Sequence, residues 1–284
     1  MFINKRLLLV FLLFSLPALG VEKKPAHEAT VFDETFSWQA MLGVSVFHNP
    51  QIIEGYKQDA VGDYLNISLL FDLYYKGFFI QSNHRRANSL ITGAELGYQL
   101  HVDKNWEVDI IMRTYIGEYE PEEIVKDNDF DFPLMEGLGI RGSADGLGLR
   151  YSHFFDDAVL SIDVASIGAR SDAPGWVSEI YYNKLVPYRN WDIYIGAGVV
   201  YYSQQLVDYY IGVDKDEVTA ARPAYEAKAG FEYELEIFAR HPINQNWTFN
   251  TGISHAIYSS HIKNSPLVAT NETTQVMLGV HYVF

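Results

Sequence analysis

Three glutamates stand two residues apart in the stretch AYEAKAGFEYELEIFA: Glu232, Glu234 and Glu236. With Glu226 and Lys228 they occupy one face of an extended chain, while Tyr225, Phe231, Tyr233, Leu235 and Ile237 occupy the other. Carboxylates gathered on one face hold cations, move protons or line an aqueous path. The corresponding face of other segments carries Asp72, Glu95, Glu107, Asp109, Asp163, Glu179 and Asp192, against Arg113 and Arg150. A hydrated, partly salt-bridged interior accounts for such a set, and a cation-preferring pore is the sharper alternative.

Other chemistries find less support. Ser152 with His153 and Ser254 with His255 are adjacent pairs, so on a strand each pair points to opposite faces and makes no nucleophile–base contact. His241, His261 and His281 lack metal-ligand spacing. Cysteine is absent, which removes disulfides, thiolate metal sites and Cys nucleophiles. The acidic stretch EYEPEEIVKDNDFDFPLME places Asp127, Asp129 and Asp131 as at the start of a calcium loop. Phe132 then stands where glycine is needed and Leu138 where the closing glutamate is needed. A solvated loop, with at most loose binding of divalent ions, is expected there. No catalytic residue, metal site or cofactor is expected.

The elements that position these residues read as strands. In SWQAMLGVSV, Trp38, Ala40, Leu42, Val44 and Val46 alternate with Ser37, Gln39, Met41, Gly43 and Ser45. The same period of two recurs along the chain, and helical periodicity is weak. Strands are expected at 36–47, 64–75, 78–83, 89–101, 105–117, 146–155, 158–167, 175–187, 190–206, 224–241, 246–259 and 273–284. A further segment at 134–142 is merged with 146–155 across GSADG, giving an even total of twelve. Short connections (76–77, 102–104, 156–157, 188–189, 242–245) alternate strictly with long ones (48–63, 84–88, 118–133, 168–174, 207–223, 260–272). A transmembrane β-barrel keeps its short turns on the periplasmic side and its long loops outside.

Three short connections lead into KNWEVDI, RNWDIYI and QNWTFNT. Each repeats Asn-Trp, which places Trp106, Trp191 and Trp247 at the periplasmic edge of a membrane as an aromatic girdle. The Asn is expected to supply the turn conformation. Three hairpins of a soluble β protein, each with a core Trp, are the alternative. Aromatic residues reach 15 %, with 20 Tyr and 17 Phe, in keeping with a membrane interface. No run of 18 apolar residues follows Val21, so spanning helices are excluded and spanning strands are not. The chain closes on TTQVMLGVHYVF, where Val280, Tyr282 and Phe284 alternate. That pattern resembles the assembly signal by which barrel assembly machinery receives outer-membrane proteins.

The first twenty residues, MFINKRLLLVFLLFSLPALG, have the basic start, apolar centre and small-residue end of a secretory signal peptide. Cleavage there takes two positive charges, Lys5 and Arg6, from the formal −15, leaving −17. A chain so acidic does not seek nucleic acid. Residues 21–35 read as a charged periplasmic tail and 36–284 as the barrel.

The last third resembles the MltA-interacting protein and OmpV (MipA/OmpV) family. The resemblance rests on YYIGVDKDEVTAARPAYEAKAGF from Tyr209 to Phe231, NSPLV from Asn264 to Val268, and the terminal LGVHYVF. FHNPQIIEGY and GFFIQS are similar to the family's first loop and third strand. Tyr210, Gly212, Val213, Tyr225, Gly230, Ser265 and Pro266 match family positions, most of them in or beside long loops that they are expected to shape. The resemblance implies a non-enzymatic barrel in the outer membrane of a Gram-negative bacterium, in contact with its lipids. It further implies partners of the kind the namesake scaffolds, a lytic transglycosylase and a murein synthase. A narrow cation-biased channel and a surface adhesin acting through 118–133 and 207–223 are the alternatives.

Overall fold

The computed structural model describes residues 36–58, 61–82, 94–168 and 174–284. The expected signal peptide and periplasmic tail lie outside these residues, as do most of the 84–88 and 168–174 connections and the start of the expected strand at 89–101. Twelve antiparallel strands close into a barrel in chain order. They are β1 (Ser37–His48), β2 (Leu65–Tyr75), β3 (Phe78–Gln81), β4 (Glu95–Val102), β5 (Trp106–Ile116) and β6 (Ala144–Phe154). The second half comprises β7 (Ala158–Ile167), β8 (Gly175–Tyr188), β9 (Trp191–Tyr202), β10 (Gly230–Pro242), β11 (Trp247–Tyr258) and β12 (Glu272–Val283). β1 pairs with β12 from Met41↔Val283 to His48↔Val276, so no edge is left open. No helix is long and apolar enough to cross a membrane among the described residues.

Alternation sorts the side chains. Outward-facing Ile67 is 71 % exposed and Leu235 is 65 % exposed, while inward-facing Asp163 is 2 % exposed and Glu236 is 2 % exposed. A surface that is apolar outside and charged inside is stable only with lipid around it and polar partners within it. The short turns gather at one end and the long loops at the other. In the tightest hairpin Lys76 and Gly77 both take positive φ, 51° and 82°, the conformation that matches strand twist across a two-residue turn.

Several expected boundaries shift. The segment 134–142 is not part of a strand. It forms turns in the β5–β6 loop, where Met135 and Leu138 are buried in a cluster made by the long loops. Their three-residue spacing suits a turn, and burial there outweighs the alternation of Leu134, Leu138 and Ile140. The total remains twelve, since 134–142 is a loop and needs no merging. The expected strand at 190–206 ends at Tyr202, and α2 (Gln204–Ile211) begins two residues later; α1 (Pro121–Asp127) lies in the β5–β6 loop. Leu206 with Tyr210 and Val207 with Ile211 are buried i, i+4 pairs, a helical signal that straddles the expected end of the strand at 206 and the start of the expected 207–223 loop. Residues 224–229 are loop, and β10 starts at Gly230.

The Asn of each Asn-Trp pair does not take the left-handed conformation. At the β8–β9 turn that strain falls on Arg189, at φ 54°. The Asn carbonyls instead bind the neighbouring hairpin. Asn105 accepts from the Phe154 amide at 2.8 Å and Asn246 from the Val283 amide at 2.7 Å. Asn190 accepts from His241 Nδ1 at 3.1 Å.

Inward glycines make room for rings. Gly43 backs onto His281, which is buried between Ser68 (3.1 Å) and Asn250. A Cβ on Gly43 would stand 2.7 Å from His281 Cγ. Gly43→Val, although favourable to strand propensity, is therefore expected to destabilise the barrel by about 1–3 kcal/mol through overpacking. Urea unfolding of the detergent-folded protein measures this.

Candidate functional site

At mid-depth the lumen is crossed by a layer of charge. Arg150 and Asp163 stand opposite each other on β6 and β7, and the guanidinium grips the carboxylate with two bonds of 2.8 Å. The same guanidinium reaches past β5 to hold both oxygens of Glu95 on β4, one of them at 2.9 Å. Asp163 also faces Glu179 of β8 directly. Arg113 resolves that repulsion by pairing with Glu179 and standing 3.7 Å from Asp163, with its guanidinium over the Tyr115 ring at 4.3 Å. Gln81 donates to Glu95 from β3. All six consecutive strands from β3 to β8 are thus tied together across the lumen. Bidentate, buried ion pairs of this kind are geometrically demanding, and each group's partners must all be present.

The opposite wall carries Glu232, Glu234 and Glu236 on β10. Gly196 and Gly198 of β9 leave space for the Tyr181 ring to lie across them, so that its hydroxyl donates to Glu236 at 3.1 Å. Tyr202 donates to Glu232 at 2.6 Å. Asp109 is buried opposite Arg150 in the β5–β6 register, beside Glu107. Asp192 and Arg240 are register partners on inward-facing positions at the short-turn end. Glu226, by contrast, is exposed in the β9–β10 loop, with Gln204 as a neighbour at 3.4 Å. Its place on the carboxylate face failed because the strand it was assigned to begins four residues later.

The long loops close over the other mouth. α2 lies beneath them, its apolar side joined to Val177, Val200 and Tyr202 of the barrel and to Ile262 of α3 (Ser260–Lys263). Ile53 pairs with Val268, which links the β1–β2 and β11–β12 loops. Arg222 is 1 % exposed, and its guanidinium donates to the carbonyls of Glu217 (2.6 Å), Leu134 (2.6 Å) and Glu136 (3.1 Å). Arg141 binds Glu217 at 2.8 Å. Tyr119 donates to the Tyr210 carbonyl at 2.6 Å, and burial pushes its phenol up to about 12, which keeps it a donor at neutral pH. Between this cap and the charged layer lies a cavity of about 470 Å³.

Over residues 42–284 the sequence matches the family described as MltA-interacting protein MipA. The chain belongs to that family. It is 32 % identical over 150 residues to the outer membrane protein Omp26La of Vibrio anguillarum, covering 53 % of this chain and 58 % of that one. It is 25 % identical over 251 residues to the 24 kDa outer membrane protein of Pasteurella multocida, covering 86 % and 90 %. Among solved structures it resembles OmpT, an outer membrane protein of Vibrio cholerae, with a TM-score of 0.38 at 8 % identity over 88 % of this chain and 97 % of that one. The protein is an outer-membrane β-barrel.

Most of the single residues matched to MipA/OmpV family positions lie together in the cap, while the terminal LGVHYVF runs along β12. Gly212 ends α2, its amide bonded to the Asp208 carbonyl at 2.7 Å. Val213 and Tyr225 form a two-bond bridge across the loop, at 2.8 and 3.1 Å. The Tyr225 hydroxyl reaches the His261 carbonyl at 2.8 Å, and Ser265 donates to the Ile211 carbonyl at 2.6 Å. A Cβ on Gly230 would meet the Ile262 side chain at 2.7 Å. Pro266 follows Ser265 and is half-buried. Tyr210 donates to the Gly142 carbonyl. Arg222 has no local signal of its role, which depends on carbonyls some 86 to 88 positions away.

At the short-turn end the three Trp rings face outward. Trp106 stacks on His101 at 4.3 Å, Trp191 on His241 at 4.8 Å, and Trp247 meets Tyr282 at 5.3 Å, with Phe284 beyond it at 5.0 Å. Val280 lies on the same outer face of β12. The Ser–His pairs are split: Ser152 and Ser254 are buried inward and their histidines point out. Among the described residues no group of His, Asp and Glu has the arrangement of a metal site.

Removing one side of the ionic layer tests its weight. Arg150→Met is expected to destabilise the barrel by about 3–5 kcal/mol, because Glu95 and Asp163 lose their buried counter-ion. Adding Glu95→Gln and Asp163→Asn is expected to restore most of it, read as the urea midpoint of the three proteins.

Proposed function

We propose that this barrel is a non-enzymatic interaction protein that docks peptidoglycan enzymes, a lytic transglycosylase and a murein synthase, at its short-turn face. The observation that carries this reading is a lumen crossed by the Arg150 network and covered at one mouth by the packed loops of the cap. A barrel so braced suits a role exercised through what it touches. The family's description as an MltA-interacting protein agrees with that. Outer-membrane barrels keep short turns in the periplasm, where murein enzymes work. Those turns carry exposed Lys104, Asn244 and Gln245 beside the aromatic girdle.

The test is in-cell photo-crosslinking from Lys104, Arg189 and Gln245, with captured proteins identified by mass spectrometry. Enrichment of a murein hydrolase or synthase over a control barrel is the expected result. Recovery of only those lipoproteins that every barrel captures removes the basis for the scaffold.

The acidic lumen favours a second reading, a narrow cation-biased pore. The charged layer and the cap weigh against it, so the purified protein is expected to give no conductance steps in planar bilayers. Steps that shrink in Glu232→Gln/Glu234→Gln would put the pore in place of the scaffold. The adhesin reading needs outward-reaching loops, and 118–133 and 207–223 instead supply Ile124, Phe132 and Val213 to the apolar packing of the cap.

A further inference from the structure

Aromatic rings at the long-loop end gather on one sector of the outer wall. Trp176 of β8 lies 4.7 Å from Tyr201 of β9, which lies 5.1 Å from Phe231 of β10, with Tyr233 a further 6.3 Å along. Near the same end, β1, β6 and β12 present Val46, Leu147 and Val276 to lipid instead. Basic residues mark this sector too. Lys228 stands two residues before β10 and Lys263 closes α3, and both are exposed. Exposed His261 joins the two segments, its Nδ1 donating to the Ala229 carbonyl at 3.0 Å. The Phe231 amide donates to the Ser259 hydroxyl at 3.0 Å, and the Ser259 amide donates to the Phe231 carbonyl at 2.9 Å. A rim held by these bonds needs little ordering when a ligand arrives. In a chain of formal charge −15, such a group of bases is out of keeping with its surroundings. Lys228 and Lys263 form no ion pair among the described residues. Glu226, two residues from Lys228, has Gln204 as its partner at 3.4 Å.

Cations at a membrane rim, beside lipid-facing rings, fit an amphiphile with an anionic head and apolar tails. The long loops of an outer-membrane barrel lie outside, so the leaflet at this rim is the outer one. In a Gram-negative outer membrane that leaflet carries an acylated glucosamine disaccharide with two phosphates. Lysines on two separate elements suit a head with two phosphates better than a phospholipid with one. We propose that the β8–β10 rim is a binding site for this phosphorylated glycolipid. Its phosphates lie against Lys228 and Lys263, and its acyl chains run along Tyr201 and Phe231. The proposal goes beyond the interaction reading and does not depend on it, since the short turns lie on the other side of the membrane.

The probe is synthetic bisphosphorylated lipid A, compared with phosphatidylglycerol, which is anionic with a single phosphate. Each is titrated into the protein folded in detergent, and native mass spectrometry counts the lipid bound per barrel. Lipid A is expected to bind at least about tenfold more tightly than phosphatidylglycerol, and Lys228→Glu/Lys263→Glu to lower its affinity by at least about tenfold. Lys126→Glu/Lys215→Glu makes the same change of net charge at other exposed positions in the long loops. That variant is expected to keep the affinity, which separates a site from a general effect of charge. Heat-dependent gel mobility reports folding of each variant. If the charge-reversed pair fails to fold, Lys228→Gln/Lys263→Gln replaces it, with an expected loss of at least about threefold. Equal affinity for the two lipids, no lipid A binding, an affinity unchanged by the Lys228/Lys263 variant, or an equal loss in the Lys126/Lys215 variant overturns the proposal.

Discussion

Within hydrocarbon a backbone amide has no water to turn to, and this constraint governs the rest of the molecule. It requires β1 to find β12, which closes the sheet and fixes an inside and an outside. Once closed, every strand must present apolar groups to lipid and a different set to the lumen. An interior of twelve strands is too wide to be filled by single side chains, as eight strands can be, yet narrower than the aqueous channels of larger barrels. This chain fills the space with charge at mid-depth and with its own loops at one end. The inward glycines belong to the same solution. Gly43, Gly196 and Gly198 exchange a side chain for the ring of His281 or Tyr181, so aromatic bulk reaches positions that a local side chain would occupy less completely.

The charged layer answers a conflict that alternation creates. Inward positions on adjacent strands are forced into register, and here that places Asp163 against Glu179. Two carboxylates at that separation repel in a medium where water screens poorly. Arg150 and Arg113 relieve the repulsion from either side, and each ties distant strands in doing so. The layer is therefore a set of cross-braces between β3 and β8. Breaking one partner leaves a charge with nowhere to go, which is why a layer of this kind is kept whole or absent.

Strand number, closure, the alternation of short and long connections and the outward Trp rings were legible because each depends on local pattern. Period two is visible within one segment, and connection length is a property of one stretch of chain. The errors arose where local pattern and tertiary burial compete. Leu134 to Ile140 alternates like a strand but is drawn into the cap. Leu206 to Ile211 carries a helical spacing only two turns long, easily taken as the end of β9. Parity put Glu95, Asp163, Glu234 and Glu236 on the face that is buried, but it misplaced Glu226 and could not show the pairing. Arg150 meets Glu95 across 55 positions and Asp163 across 13, and only the register between strands brings them together.

Six of the residues matched to the family, Tyr210, Gly212, Val213, Tyr225, Ser265 and Pro266, sit in the cap, and physical chemistry explains what holds them there. A lipid-facing strand position asks only for an apolar side chain, so many sequences satisfy it and identity there erodes freely. A cap built of irregular backbone must satisfy each buried amide and carbonyl with a particular partner. Ser265 on the Ile211 carbonyl, Tyr225 on the His261 carbonyl and Asp208 on the Ala227 amide are such partners. Cap residues are thus held by pairwise geometry while wall residues are held by pattern.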